Sequence, residues 1–446
     1  MPRVVVTGIG AVSACGIGHQ SLWEGCLAGK SLVRAIPDKW REYHKFHSQI
    51  WSPLPRIDFT QFGLNRIEIV QRDPVALLAL LSATEAVSHA GIALRSVNLR
   101  NNTFSLCGID SERAGIVFGT GIGGPTSLCD DYVIHVLGHA REAIERESLN
   151  NAKFRCLAED VKASKRINPF VVPRTMPNTI SAALSIKFQL HGPSQTICQA
   201  CASGTAAIGH AYRAIKSGSL DLVIAGASEY FSDRLGGLVM SFDIARTLVQ
   251  NFERPELANC PYDKNRSGFV ISEGGSATLV LESLEHAIEN RRIPLVEIVG
   301  YAETCDAFSM MSNADDRRQA KRMIELSLKD SNITAQDISY INGHGTSTVT
   351  NDEAEASLIE ELFGPGVFVN STKGILGHSI GASGALEAVV TILSIVHQRM
   401  HPCVNLKAPI APLKFVKNTD PQKLDTALSF SFGFGGHNSG LIMTRI

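Results

Sequence analysis

The sequence has 446 residues, more than one compact core usually holds, which predicts two domains or a duplicated unit. It is 44% hydrophobic and 19% charged, and its formal net charge of -1 gives no reason to expect nucleic acid or a membrane as a partner. The longest apolar stretches are too short to span a bilayer, and the ten cysteines are scattered singly, as free thiols are in a reducing cytoplasm.

Short β-branched runs alternate with helical patterns along the chain, which predicts a layered α/β fold whose sheets are covered on both faces. The predicted strands are 3–8, 114–121, 194–198, 220–228, 277–282, 296–302, 338–345, 366–372 and 428–436. The predicted helices are 73–90, 177–190, 202–217, 317–330, 352–363 and 381–398. Similar strand-turn openings at 3–15 and 295–307 indicate two halves, 1–292 and 293–446. The polar stretch 134–166 is interpreted as a surface insertion.

The stretch "QTICQACASG" (195–204) places two cysteines three residues apart at the start of a run of small residues. This stretch alone leaves four interpretations open: buried thiols, a redox pair, half of a metal site, or a nucleophile. The predicted strand buries Cys198, whereas Cys201 falls where the next helix begins. Free N–H groups and the positive end of the helix dipole favour the thiolate there, so Cys201 is the better candidate for a reactive thiol.

Two histidines in the second half lie in glycine-flanked loops after predicted strands. His344 lies in "NGHGTST", and His378 follows Lys373 by five residues in "STKGILGH". An apolar helix follows, interrupted by Glu387, whose burial requires a partner such as Lys373. Three lone histidines elsewhere in the chain are interpreted as structural: His191, His210 and His401. Thr350 and Glu353 have the spacing of a helix-capping box.

Five motifs in this order resemble those of the β-ketoacyl-acyl-carrier-protein synthases: "QACASG", "PYDKNRSGFVISEGG", "NGHGTST", "STKGILGH" and "SFGFGGHN". With the opening "VVVTGIGAVS" the resemblance covers nearly the whole chain, and it leaves the redox and metal interpretations with little support. It implies a thiolase-type five-layer αβαβα fold made of two similar halves. The sequence departs from the family pattern at Gly343, where alanine is usual, and at Gly374, where serine is expected. The insertion at 134–166 is also longer than in comparable fatty-acid enzymes.

The resemblance implies a catalytic set. Cys201 matches the nucleophile, and His344 and His378 match the two catalytic histidines. Lys373 matches the active-site lysine, and Glu387 matches the acidic residue associated with it. A purely structural Lys373–Glu387 ion pair remains an alternative.

Further positions follow from the same resemblance. Thr346 and Thr348 match threonines that contact the phosphopantetheine arm, and Phe432 is placed with them at the substrate site. Phe434 matches the gating phenylalanine, whose backbone N–H joins that of Cys201 in the oxyanion hole.

The implied activity is fatty-acid elongation by decarboxylative condensation of an enzyme-bound acyl group with malonyl-acyl-carrier protein. Neutral imidazoles that donate from Nε2 would stabilise the enolate, and a nearby lysine opposes their protonation. No metal or resident cofactor is expected, since substrates arrive on the phosphopantetheine of acyl carrier protein. The alternative is a ketosynthase of a specialised polyketide or polyene pathway. A chain-length-factor subunit without the nucleophile, a decarboxylase with glutamine at 201, and a thiolase with a second late cysteine do not fit these residues.

The predicted partners are acyl carrier protein and a second subunit. The second subunit is an identical chain or a chain-length-factor-like protein, with the strand 194–198 at the interface. Acyl carrier proteins are acidic, so the mouth of the site should be basic. Arg246, Lys165 and Arg166 are the candidates, and ordinary solvated charge is the alternative, most of all for the last two.

Overall fold

The computed structural model describes residues 1–134, 137–138, 167–250, 253–314 and 316–446. The predicted insertion at 134–166 lies almost wholly outside these residues. The strands are β1 (Val4–Ser13), β2 (Gly16–Ile17), β3 (Arg34–Ala35), β4 (Ile50–Trp51), β5 (Leu94–Asn98), β6 (Thr103–Leu106), β7 (Ala114–Gly119), β8 (Ser194–Ile197), β9 (Leu222–Tyr230), β10 (Gly274–Ser283), β11 (Val296–Cys305), β12 (Tyr340–Asn342), β13 (Phe368–Asn370), β14 (Lys414–Phe415), β15 (Thr426–Gly433) and β16 (His437–Thr444).

The helices of the described residues include all six that the periodicity predicted. They are His19–Ala28, Asp38–Tyr43, Arg66–Gln71, Pro74–His89, Pro125–Ser127, Val171–Thr175, Thr179–Phe188, Ser203–Lys216, Gly237–Ile244, Leu284–Glu289, Arg318–Ser331, Val349–Phe363, Lys373–Leu376 and Ser383–His397. The predicted strands are confirmed as well, but the short strands β2 to β6 and β14 were not predicted. The longer strand β16 was missed because "GFGGHN" turns the chain directly back into a hairpin.

Strand pairing repeats the same pattern in both halves of the chain. In the first half β1 pairs antiparallel with β10, β10 antiparallel with β9, β9 parallel with β7, and β7 parallel with β8. In the second half β11, β16, β15, β12 and β13 repeat that order and those directions. A short antiparallel contact, Val4–Val6 of β1 against Val296–Ile298 of β11, joins the halves. The predicted boundary at 292/293 falls in the loop before β11.

Helices and sheets stack in five layers. In each half the strands paired as above form one sheet, called the first and the second sheet. The outer face of the first sheet is covered by the helices Pro74–His89 and Thr179–Phe188. Ser203–Lys216 and Ser383–His397, the two central helices, pack between the sheets. Arg318–Ser331 and Val349–Phe363 cover the outer face of the second sheet. The predicted αβαβα fold made of two similar halves is therefore confirmed.

The second central helix is apolar because both of its faces are buried. Among the described residues, only the helical stretch Ile380–His397 is long and apolar enough to cross a bilayer, and 89% of it is buried inside the protein. Burial between two sheets accounts for this composition.

Glycines let the two central helices approach closely at their N-terminal ends. A Cβ on Gly204 would lie 2.6 Å from the backbone nitrogen of Ala385, and a Cβ on Gly384 would collide with the hydroxyl of Thr205. Because these glycines stand in the first turn of each helix, the loops that precede the helices are brought together. Cys201 lies in one of these loops and His378 in the other.

Candidate active site

Cys201 lies on a tight turn between the edge strand β8 and the first central helix. Ala200 takes the left-handed conformation (φ 47°), which costs a residue with a side chain roughly 1–2 kcal/mol. The hydroxyl of Ser203 closes the turn, donating to the carbonyl of Ala200 (2.7 Å) and accepting from the N–H of Gln199 (2.8 Å). The turn leaves the thiol of Cys201 buried, with 5% of the residue exposed.

The prediction that Cys198 is buried is wrong for a single protomer. Cys198 is exposed, because β8 is the last strand of the sheet and has a neighbour on only one side. Sequence patterns identify a strand but not whether another strand follows it in the sheet.

Burial dominates the electrostatics of the Cys201 thiol. Burial raises its pKa to about 12, while the charge of Lys373 and the N–H groups of Phe434 and Cys201 act in the opposite direction. The predicted preference for the thiolate is therefore wrong, because the helix N-terminus does not outweigh desolvation. The two N–H groups nevertheless point at the sulfur. Gly433 permits this approach, since a Cβ there would lie 2.6 Å from the carbonyl oxygen of Gln199.

His378 is held as a neutral imidazole with its proton on Nε2. The N–H of Ile380 donates to Nδ1 (3.2 Å), and the hydroxyl of Ser383 lies 2.9 Å from the same atom. Since Nδ1 accepts a hydrogen bond, the proton of the neutral ring is on Nε2. Burial and the charge of Lys373 hold the pKa of His378 well below its ordinary value.

His344 reaches the same state through Lys373. The ammonium of Lys373 has three partners: Nδ1 of His344 (3.2 Å), the carbonyl of His344 (2.7 Å) and the carboxylate of Glu387 (2.5 Å). An ammonium only donates, so Nδ1 accepts and Nε2 carries the proton. Burial and the charge of Lys373 depress the pKa of His344, and burial raises that of Glu387 to about 7. The two imidazole rings lie 5.5 Å apart at 84°.

A cavity of about 710 Å³ brings most of the predicted site together. Its lining includes Cys201, Arg246, His344, Thr346, Thr348, His378, Phe432 and Phe434. Lys373 and Glu387 are buried and are not part of the cavity lining, and Lys373 is bonded to His344, which is. Lys165 and Arg166 lie outside the described residues. The ring of Phe432 lies 5.8 Å from that of His344.

The predicted capping box of Thr350 and Glu353 is wrong. The helix Val349–Phe363 begins earlier, with Thr348 as its N-cap residue. Glu353 instead binds the guanidinium of Arg266 (2.8 Å), which also donates to the carbonyls of Thr348 and Val349. Arg266 is buried, and its role in holding the Thr346–Thr348 loop could not be inferred from spacing because its partners lie more than 80 residues away.

No group of three or more histidine, cysteine or acidic side chains is placed to hold a metal ion within the part of the chain that the structure describes. The cysteines of that part are all free thiols. Cys201 is the cysteine that lines the cavity.

A duplicated five-layer fold, with a cysteine where one central helix begins and a histidine where the other begins, is the arrangement of thiolase-type condensing enzymes. The chain belongs to the β-ketoacyl synthase family. The family models for the N-terminal and C-terminal domains of β-ketoacyl synthases match residues 1–287 and 295–407. Members of this family are condensing enzymes of the acyltransferase class.

Relatives include both fatty-acid and polyketide proteins. The 3-oxoacyl-[acyl-carrier-protein] synthase 2 of Coxiella burnetii is 34% identical over 450 residues, with 100% of this chain and 99% of the relative covered. The solved AntDE:AntF complex, a type II polyketide acyl-carrier protein with its ketosynthase bound to the hexaketide, is 27% identical with a TM-score of 0.80, and both chains are covered fully. The ishigamide ketosynthase/chain length factor is 25% identical with a TM-score of 0.81, covering 100% of this chain and 99% of that one.

Proposed function

We propose that the protein lengthens an acyl chain by two carbons. The acyl group is carried on Cys201, malonyl-acyl-carrier protein is the second substrate, and the product is a 3-oxoacyl-acyl-carrier protein. The observation that carries this proposal is that one cavity opens on a buried thiol and on two imidazoles that donate from Nε2.

The first step is acyl transfer from a carrier thioester to Cys201. The sulfur attacks the acyl carbonyl, a C–S bond forms, and the bond to the carrier sulfur breaks. The proton of the Cys201 thiol ends on the departing carrier thiol. The N–H groups of Cys201 and Phe434 already converge on this position, so they can stabilise the oxyanion of the tetrahedral intermediate without reorganising.

The second step is decarboxylation and condensation. The bond between the malonyl methylene carbon and its carboxylate breaks, releasing CO₂ and leaving an enolate on the thioester. The Nε2–H groups of His344 and His378 stabilise the charge on the enolate oxygen. The enolate carbon then attacks the acyl carbonyl on Cys201, and the cysteine sulfur leaves and regains a proton. Burial and the Lys373 ammonium keep His344 neutral, which is the protonation state this role needs.

Two further assignments deepen the proposal. Thr346 and Thr348, whose hydroxyl oxygens lie 2.9 Å apart at the cavity wall, bind the pantetheine arm together with Phe432. Free thiols support a cytoplasmic location, and the repeated strand order supports the division into 1–292 and 293–446.

The chain expressed alone should form a dimer and turn acyl-carrier and malonyl-carrier thioesters into a 3-oxoacyl product two carbons longer. The dimer is expected because β8 leaves an unpaired sheet edge that a second β8 can extend. Light scattering gives the mass of the particle, and mass spectrometry of the carrier gives the product. A monomer that makes the product contradicts the dimer, and a dimer that makes none contradicts the function.

A specialised polyketide or polyene ketosynthase is the second candidate. It is favoured by the likeness to a type II polyketide ketosynthase and to a ketosynthase/chain length factor, and by the hydrophobic cluster around Cys201, which includes the aromatic side chains of Trp40 and Trp51. Such an enzyme would form product only after a chain-length-factor-like subunit is added, so the same assay with the chain alone separates the two candidates.

Replacing Arg246, Lys165 and Arg166 together by glutamate should raise the KM for carrier-bound substrates severely. Arg246 is exposed and lines the mouth of the cavity, where it can meet an acidic carrier protein. Surface charge pairs are individually weak, so each single change should cost only about 1 kcal/mol. Steady-state kinetics with carrier-bound and with small pantetheine substrates measure the effect.

A matched control is the triple change of Arg100, Lys329 and Lys423 to glutamate, because these exposed residues are not part of the cavity lining. It alters net charge equally and should leave the KM unchanged. Pantetheine substrates should be turned over normally by both variants. An unchanged KM in the first variant would place the docking surface elsewhere.

A further inference from the structure

Gly343, the residue before His344, occupies a space in which a side chain has no room. A Cβ there would collide with the phenol oxygen of Tyr262 and with Oε1 of Glu355. The backbone itself is fixed, since the N–H of Gly343 donates to the carbonyl of Asn370 (2.9 Å). The absence of a side chain at Gly343 is therefore coupled to the presence of the Tyr262 hydroxyl.

The residue after His344 is held by the same pair. The hydroxyl of Tyr262 donates to Oε1 of Glu355 (2.8 Å), and Oε2 of Glu355 accepts from the backbone N–H of Gly345 (2.9 Å). Tyr262 and Glu355 are both fully buried. The phenol and the carboxylate therefore lie against the backbone on both sides of His344: a Cβ on Gly343 would meet both groups, and Gly345 donates to the carboxylate.

We propose that Tyr262 and Glu355 are positioning residues for His344, and that the missing side chain of Gly343 leaves the space for the phenol hydroxyl beside the backbone of the histidine loop. This rests on the proposed function, in which Nε2 of His344 must meet the developing enolate. The pair fixes the backbone on both sides of the histidine, whereas Lys373 fixes its ring, so together they leave His344 a single orientation.

The buried charge of Glu355 explains why loss of the Tyr262 hydroxyl alone is expected to disturb the loop. Burial raises the pKa of Glu355 to about 7, and the donors Tyr262 and Gly345 act against this rise. Within the described residues, Tyr262 supplies the hydrogen bond that Oε1 accepts, while Oε2 has both Gly345 and the side-chain amide of Asn351. Without the hydroxyl, Oε1 is buried without a donor and the space behind Gly343 is empty.

The test is a cycle of four proteins: the wild type, Tyr262→Phe, Gly343→Ala and the double variant. Each single variant should release CO₂ from malonyl-carrier substrate roughly tenfold more slowly or worse, because small displacements of a catalytic group have large effects on rate. Acylation of Cys201 does not need His344 in the proposed mechanism, so intact-mass measurements should show it within about twofold of the wild type.

The double variant should recover to within about threefold of the wild-type rate of CO₂ release, since residues in contact are coupled. Loss of the hydroxyl removes the closest collision of the new methyl group, and the methyl group fills the space that Tyr262→Phe alone leaves empty. The carboxylate of Glu355, no longer tied to the phenol, can shift as a whole away from the methyl group. Tyr212→Phe is the control for the loss of a buried phenol that donates to a carboxylate (Asp330, 3.0 Å) far from the cavity. Gly366→Ala is the control for the glycine, because a Cβ there would meet nothing within 4 Å. Both controls should behave as the wild type.

The outcomes separate the inference from the function on which it rests. A wild type that releases no CO₂ overturns both. If the wild type releases CO₂, three outcomes overturn the inference alone. The single variants release CO₂ at normal rates, their acylation falls in parallel with CO₂ release, or the double variant is no faster than the single variants. If Gly343→Ala does not fold, a folded and active double variant supports the coupling, and an unfolded double variant overturns it.

Discussion

Replacing Cys201 by alanine is expected to abolish acylation and condensation, whereas replacing Cys198 by alanine should leave most activity in place. Loss of a nucleophile from a preorganised site typically costs on the order of 10⁴- to 10⁶-fold in rate. Cys201 lies under the converging N–H groups of Phe434 and its own backbone and lines the cavity. Cys198 is exposed at the sheet edge and does not line the cavity. Cys198→Ala is thus the matched control.

Intact mass after incubation with a panel of acyl-carrier thioesters is the measurement for this prediction. The added mass should appear on the wild type and on Cys198→Ala and be absent from Cys201→Ala, and it also identifies the primer. A small alkylating reagent is less informative, because burial raises the pKa of the Cys201 thiol. An acyl adduct that persists on Cys201→Ala would assign the nucleophile to another residue.

Most of the fold was predictable because it depends on local periodicity. The six predicted helices and the long strands were found, since their apolar patterns are those of elements buried on one or both faces. The similar openings at 3–15 and 295–307 indicated duplication, and they are β1 and β11, which begin the two repeats and touch each other. The hairpin strand β16 was missed because the residues of its turn lie inside the predicted strand 428–436.

The wrong predictions for the site concern how deeply residues are buried in the tertiary structure, which the spacing of residues in the sequence does not show. The position of Cys201 at a helix start was predictable, but the extent of its desolvation was not, and that decides the direction of its pKa. The exposure of Cys198 depends on β8 being an edge strand. Gly343 was visible only as a departure from the family pattern, because its explanation, the hydroxyl of Tyr262, lies 81 positions earlier in the sequence.

Replacing either His344 or His378 by alanine is expected to slow malonyl decarboxylation by about 10²- to 10³-fold, the usual effect of removing one donor from an oxyanion. Both rings are neutral and both carry their proton on Nε2, so each contributes one donor to the same cavity. Acylation of Cys201 should fall much less, because its oxyanion is stabilised by backbone N–H groups. CO₂ release and intact mass, measured on the same samples, separate the two steps.

Glutamine at each position is the matched variant, since its side-chain amide can place a donor near the former Nε2 while being unable to act as an imidazole base. If the histidines act as hydrogen-bond donors, the rate of CO₂ release should rank wild type above glutamine and glutamine above alanine. Equal rates for glutamine and alanine would contradict a donor role.

A pH titration gives a second check of the neutral histidines. A histidine whose pKa is lowered stays neutral above that pKa, so the NMR nitrogen chemical shifts of the His344 and His378 rings should not change as the pH drops through about 6.5, where an ordinary histidine gains its charge. The rate of CO₂ release is not the readout here, because burial raises the pKa of Glu387 and of Glu355 to about 7 and both carboxyl groups titrate in the same range. A ring whose shifts change with a midpoint near about pH 6.5 titrates normally, and the neutral pair of donors would then be the wrong account of the enolate step.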